Sequence, residues 1–242
     1  NFKGSEKYIK EYVLQRLRTS DIYLSQLDYK FLSDFEAFLF KYYPKGHYKA
    51  MSHNTVMKHI QRLRKIVTLA FHLEWLDKDP FRRWKMTFEK REREFLSKNE
   101  LSNLQHAEIP IDRLDRIRDL FIFSCYTGLS YGDVMDLSEK EISLGIDGKV
   151  WIITTRNKTN NAVKVPLLEP ALRILKKYED HPITQTSGKL LPECSNQKVS
   201  LYLKELAMMV GIKKNLTFHM SRHTFATTVT LSNGVPIETV SK

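Results

Sequence analysis

The chain has 242 residues, of which 42% are apolar; 39 basic and 28 acidic side chains give a net charge of +11. At about 150 residues per domain this length allows one or two domains, and the apolar share is enough for a core in each, which excludes a wholly disordered chain. Nine glycines and eight prolines exclude collagen-like and low-complexity classes, and no apolar run approaches the ~18 residues of a membrane span. The opening Asn1-Phe2-Lys3-Gly4-Ser5 lacks a signal-peptide core and an initiator Met, so the chain is expected to begin inside a longer protein. Cys125 and Cys194 are far apart and in no C-x-x-C, which points to neither a disulfide scaffold nor zinc, and to a reduced, intracellular compartment.

The charge is uneven. Residues 1–95 hold 20 basic and 12 acidic side chains, against 19 and 16 in residues 96–242. A basic excess of this size suits a polyanion, most often nucleic acid.

The first part reads as all helical. Ser5–Leu17 places Tyr8, Ile9, Tyr12, Val13 and Leu17 at helical spacing; Asp28 reads as an N-cap ahead of Phe31, Leu32, Phe35, Phe38 and Leu39. Tyr43-Pro44-Lys45-Gly46 breaks the chain. Ser52 or Asn54 then opens a third helix to about Leu73, with Val56, Ile60, Leu63, Val67, Ala70 and Phe71 as its apolar stripe. Its other side carries Lys58, Arg62 and Lys65, a basic ridge. Lysine-rich faces are commonly just solvated, but such faces usually mix signs, and no carboxylate falls between Lys58 and Lys65. Asp79-Pro80-Phe81 ends the run, and the charged stretch Arg82–Arg93 reads as extended and interdomain. The expected division is a helical domain over 1–88, a linker over 89–96 and a second domain over 97–242.

The second part is mixed. Ser97 with Glu100 forms a capping box. Leu114–Tyr126 is a long helix, Val150–Thr155 a strand, and Val163–Val165 its partner across Asn160-Asn161. Pro166 is expected to begin a helix through Tyr178, Ser195–Val210 forms another, and Thr217 opens one that holds His219 to Leu231 and stops near Gly234. Pro236 suits the first turn of one more. The fold class expected is mainly α with a small antiparallel β-sheet.

Three clusters carry chemistry. In Thr127-Gly128-Leu129-Ser130-Tyr131-Gly132-Asp133 a long helix ends, glycine turns the chain and a short helix begins; alone this is an ordinary helical corner. In Thr155-Arg156-Asn157-Lys158-Thr159, followed by Val163-Lys164-Val165, Lys158 sits near a hairpin tip. Strand alternation would turn Arg156 and Lys158 the same way, as a phosphate needs, although exposed hairpin lysines are commonly only solvated. In His219-Met220-Ser221-Arg222-His223-Thr224-Phe225-Ala226-Thr227, helical spacing puts His219, Arg222 and His223 on one face. A histidine can share a proton with a phosphate oxygen, and an arginine can clamp two oxygens. His-x-x-x-His can also bind zinc, but no glutamate lies between these histidines, an arginine does, and no third ligand is evident. A packed helix with incidental histidines is the other plain reading.

His-x-x-Arg-His-Thr-Phe-Ala-Thr, preceded by T-G-L-x-x-x-D and an R-x-K-T hairpin, resembles the phage-integrase family, the tyrosine recombinases. The resemblance covers both parts: a helical core-binding domain (residues 1–90) and most of an α+β catalytic domain (residues 96–242). It implies DNA strand breakage and rejoining through a 3′-phosphotyrosine, on double-stranded DNA, as a tetramer, with neither cofactor nor metal. It also implies a bacterial, nucleoid-associated protein of a mobile element. By motif position, Arg222 binds nonbridging oxygens, His219 aids proton transfer or oxygen binding, Lys158 is the general acid for the 5′-oxygen, His223 supports the site, and Asp133 buttresses the active-site arginines. The ridge Lys58, Arg62, Lys65 and the linker residues Arg82 and Arg83 would face DNA.

Two departures stand out. The family normally has an arginine where this chain has Ser130; a mobile-element subgroup shares T-G-L-S-Y, and Arg156 is expected to supply part of the missing charge. The nucleophilic tyrosine is also missing: the last tyrosine, Tyr202, precedes the His-x-x-Arg box, and the chain stops near where an L-G-H segment should start. Tyr131, beside the first cluster, reads as packing. The expectation is a recombinase fragment, inactive in cleavage and monomeric. The competing readings are a DNA-binding regulator or relic that lost cleavage, and a helical protein with structural zinc at His219 and His223.

Overall fold

The computed structural model describes residues 2–90 and 92–240; Arg91 of the expected linker, and Ser241 and Lys242 at the sequence end, lie outside them. The chain forms two compact units, residues 1–91 and 92–242.

The first unit packs three helices, α1 (Phe2–Tyr12), α2 (Tyr29–Phe40) and α3 (His53–His72), each against the other two. Asp28 caps α2, its carboxylate accepting from Phe31 N–H at 2.7 Å, and Ser52, not Asn54, precedes α3. Aromatic rings fill the core: Tyr12 meets Phe31, Phe35 and Phe38 at centroid distances of 5.2–5.4 Å. Two residues depart from the expected stripes. After Tyr12 the first helix widens into a π-helical turn, Val13–Leu17, which shifts the phase and leaves Leu17 exposed. Phe71, near the end of α3, is also exposed, at 37%. Beyond Trp84 the chain is extended and tied back to α3: the Asn54 side chain bonds both the N–H and the carbonyl of Glu89, each at 2.9 Å.

The second unit is built on α5 (Asp112–Thr127), which follows α4 (Lys98–His106) and touches α4, α6 (Tyr131–Asp136), α7 (Glu169–Tyr178), α9 (Asn196–Met209) and α10 (Phe218–Thr224). Ile117, Leu120, Phe121, Ile122 and Phe123 are all buried, so the helix is covered on every side. A three-stranded antiparallel sheet, β1 (Ile142–Leu144), β2 (Val150–Thr155) and β3 (Ala162–Pro166), pairs in that order, with Ile152 opposite both Ile142 and Val165. Two short elements, β1 and α8 (Pro182–Ser187), go beyond the sequence reading. Pro166 does not begin a helix. It ends β3 opposite Trp151, where the edge of the sheet tolerates its missing N–H, and α7 starts at Glu169 with Pro170 in its first turn. After α10 the helix passes through a π-helical stretch, Phe225–Thr230, and a 3₁₀ turn, Leu231–Asn233, stopped by Gly234; α11 (Ile237–Val240) follows Pro236. Among the described residues no helix is long and apolar enough to cross a membrane.

Candidate functional site

Helix α5 ends because Gly128 takes a left-handed conformation, φ 69°, its N–H bonding the Ser124 carbonyl. The chain reverses through Leu129, and Ser130 caps α6. Its hydroxyl donates to Asp133 at 2.7 Å, and Asp133 N–H points back to it at 3.4 Å. Buried Asp133 uses its other oxygen to accept from the Asn157 backbone N–H at 3.2 Å, tying α6 to the hairpin. Ser130 is thus a helix cap committed to a carboxylate.

Strand β2 stops at Thr155, so Arg156 and Lys158 do not sit on one strand face as expected. Residues 157–159 form a turn closed by bonds from Thr159 and Asn160 N–H to the Arg156 carbonyl. Lys158 is exposed at the tip and Arg156 is half-buried at its base. The charge of Lys158 still acts on His219 and that of Arg156 on Arg222, but from the turn and not from a strand face.

Helix α10 brings that cluster to the corner made by Gly128. Half-buried Arg222 donates through Nη1 to the Gly128 carbonyl at 2.6 Å. Beneath it, the buried Ser124 and Ser221 hydroxyls meet at 2.5 Å, and Ser124 also donates to the Leu129 carbonyl at 2.7 Å. The His219 and His223 rings meet edge to face at 4.8 Å. His219 is exposed, while His223 Nε2 is buried without a hydrogen-bond partner.

The electrostatics favour an anion. Partial desolvation of the His219 ring, though the residue is exposed overall, comes first, then Arg222, Arg93 and Lys158, in holding its pKa below the ordinary 6.5. Burial, His219, Arg93 and Arg222 do the same to His223. Burial and the neighbouring charge of Arg156 press on Arg222, with Asp133 opposing. Lys158, Arg156, Arg222 and the two histidines therefore share one field, which Asp133 opposes at Arg222. Such a site can hold a phosphate, spread negative charge over arginine donors and pass a proton through lysine or imidazole. Among the described residues no three metal-ligating side chains come together. Tyr131 is not poised there as a nucleophile: its hydroxyl donates to the Cys194 carbonyl and its ring packs on Phe218.

The ridge lies in the first unit. Lys58 and Lys65 are exposed and make no ion pair among the described residues, whereas Arg62 turns inward to Ser5 Oγ at 3.2 Å. Arg82 and Arg83 are exposed. The sequence reading missed Arg93, hidden in a run of alternating charge, and Asn157, which has no motif of its own.

A family model described as "Phage integrase SAM-like domain" matches residues 1–90, and one described as "Phage integrase family" matches residues 94–242. No sequence among the curated proteins matches. Solved structures do. A lambda integrase dimer bound to a COC′ core site is 16% identical with a TM-score of 0.68, covering 94% of this chain and 63% of that one. The Tn1549 transposon integrase in complex with circular intermediate DNA is 14% identical with a TM-score of 0.74, covering 99% of this chain and 83% of that one. The XerH site-specific recombinase bound to its difH substrate is 17% identical with a TM-score of 0.60, covering 98% and 68%. At these identities the likeness is one of fold, and the chain spans under two thirds of that lambda integrase chain.

Proposed function

Because the chain belongs to the phage integrase family, we propose that it is the DNA-binding and phosphate-activating part of a site-specific recombinase of a mobile element. The observation that carries this reading is Arg222, fixed on the Gly128 carbonyl at 2.6 Å beside Arg156, with His219 under the influence of Lys158. A phosphodiester placed there would meet Arg222 at its nonbridging oxygens, with His219 beside them. In transesterification a hydroxyl attacks phosphorus, charge builds on the equatorial oxygens, and the departing 5′-oxygen needs a proton. Lys158, exposed on a turn that can follow the DNA, is the donor we assign. His223 and Asp133 position these groups. Arg156 supplies the charge that Ser130, a neutral hydroxyl held by Asp133, cannot.

The lambda integrase and Tn1549 structures are DNA complexes, and a lambda integrase tetramer is bound to a Holliday junction. We assign the same partners here: duplex DNA, and further copies of the recombinase during strand exchange, with work at the bacterial nucleoid. Lys58, Lys65, Arg82 and Arg83 would add backbone contacts from the first unit, whereas Arg62 of the expected ridge is turned to Ser5. No tyrosine follows Tyr202 in the 242 residues, so for this chain we predict binding without a covalent link.

A second reading, a non-cleaving DNA-binding regulator, draws on Ser130 being a cap where the family has an arginine. Retention of Lys158, His219 and Arg222 weighs against it, since binding alone does not need that set.

The test has two parts. Fluorescence anisotropy of the chain with duplex DNA should give a log affinity that falls linearly with log salt, with a flatter slope for Arg222→Gln; absence of binding at low salt would end the reading. In a full-length protein bearing the nucleophile, Arg156→Ala should lower cleavage by about 10²–10³-fold, as loss of a transition-state donor does. Adding Ser130→Arg should recover part of it. Unimpaired cleavage by Arg156→Ala removes the compensation assignment, and a full-length protein that binds but never cleaves favours the regulator.

A further inference from the structure

The second unit begins with an extended stretch, residues 92–96, anchored to the helix that carries the site. Leu96 N–H donates to Thr224 Oγ1 at 3.0 Å, and its carbonyl accepts from Thr228 Oγ1. The Phe95 carbonyl accepts from Lys214 Nζ at 2.8 Å. Thr224 directly follows His223, and Thr228 lies about one turn further on. Arg93 stands three residues before Leu96, so its Cα is within about 10 Å of that anchor.

Arg93 is exposed and makes no ion pair among the described residues; Glu92 and Glu94, its neighbours in sequence, are exposed too. Its charge acts on both rings of the His219–His223 pair, ahead of Lys158 at His219 and ahead of Arg222 at His223. No carboxylate is among the groups that act on either histidine. Cations gathered in this way repel one another, and an anion held among them relieves that repulsion.

We propose that Arg93 is a further phosphate-binding residue of this site, delivered by the Leu96 anchor to the edge of the His219–His223 pair, where its guanidinium takes a backbone phosphate of the bound duplex. This inference rests on the DNA-binding reading above. Arginine suits the role because its planar fork bonds two phosphate oxygens at once. Arg93 thereby joins Arg222, Arg156 and Lys158 as a cation supplied from outside the three motif clusters.

The test uses the whole 242-residue chain and a duplex of about 30 base pairs, with affinity measured across salt for the parent, Arg93→Gln, Arg93→Lys and Arg222→Gln. Arg93→Gln should flatten the log–log salt slope by about 0.9, the value of one released counterion, while Arg93→Lys keeps most of it. Without DNA, the imidazole NMR signals of His219 and His223 should titrate at higher pH in Arg93→Gln. A parental slope in Arg93→Gln beside a flattened one in Arg222→Gln overturns the Arg93 assignment and leaves the site reading standing. Parental slopes in both overturn the two together. Unmoved histidine titrations also overturn it, because they would place Arg93 away from the pair.

Discussion

Phe225 occupies the space that a side chain on Gly128 would need: a Cβ there would lie 2.5 Å from Phe225 Cδ1 and 2.8 Å from Cε1. The same glycine holds φ at 69° and offers its carbonyl to Arg222. Gly128→Ala should therefore destabilise the second unit by at least about 2 kcal/mol, from crowding and a left-handed backbone together. Urea unfolding measures this. Adding Phe225→Leu should recover the crowding share and leave the backbone share. A single variant as stable as the parent would contradict both causes.

Asp133 accepts from the Ser130 hydroxyl with one oxygen and the Asn157 N–H with the other. Asp133→Ala orphans both donors, at about 1–3 kcal/mol for each that stays buried. Asp133→Asn, which keeps one acceptor, should cost less. Hydrogen exchange at the Asn157 amide should quicken most in the alanine variant; an unchanged rate would mean that the hairpin turn is held by something else.

Burial, with neighbouring cations, keeps His219 and His223 below 6.5 in the folded chain. The unfolded chain then binds more protons between the folded and unfolded values, so the contribution to stability is complete above pH 6.5 and lost as the pH falls below it. His59, buried in the first unit against Ser5, is lowered by burial and by Arg62 and acts in the same direction. Replacing His219 or His223 with Asn should thus reduce the acid loss without abolishing it. DNA reverses the field at the pair: a phosphate favours imidazolium, so affinity should rise as the pH drops through the same window, and His219→Asn should blunt that rise. Affinity that is flat with pH in the parent would contradict it.

The ridge of α3 separates charge from structure. Lys58→Glu and Lys65→Glu should change stability by less than about 0.5 kcal/mol yet each flatten the salt slope by about 0.9 or more. Arg62→Ala should do the reverse, because its guanidinium is spent on Ser5. Equal slopes for the lysine variants and the parent would remove this face from the DNA contact.

Much of this was legible in the residues. Caps such as Asp28 and Ser97 are local signals that side chain and backbone satisfy within three residues. The three site clusters are local too, and α10 presents His219, Arg222 and His223 much as helical spacing requires. What the sequence hid depends on distant partners or broken periodicity. A π-helical turn carries Leu17 off the stripe that a 3.6-residue period drew for it. Pro166 looked like a helix start because its edge position depends on pairing with Trp151. Strand alternation groups Arg156 with Lys158, but a turn and not a strand carries Lys158. Arg93 sat in a run read as linker, and what locates it is a bond from Leu96 to Thr224, 128 residues away.

That bond has a mechanical side. Both backbone groups of Leu96 are gripped by hydroxyls on the helix that continues from His219 and Arg222. Tension in the chain just upstream is shared between the Phe95 carbonyl, held by Lys214, and Leu96, held by two threonines on the helix that carries His219 and Arg222. The clasp is a load path into the histidine-bearing helix. Thr224→Val with Thr228→Val would cut the path while leaving every cation in the sequence.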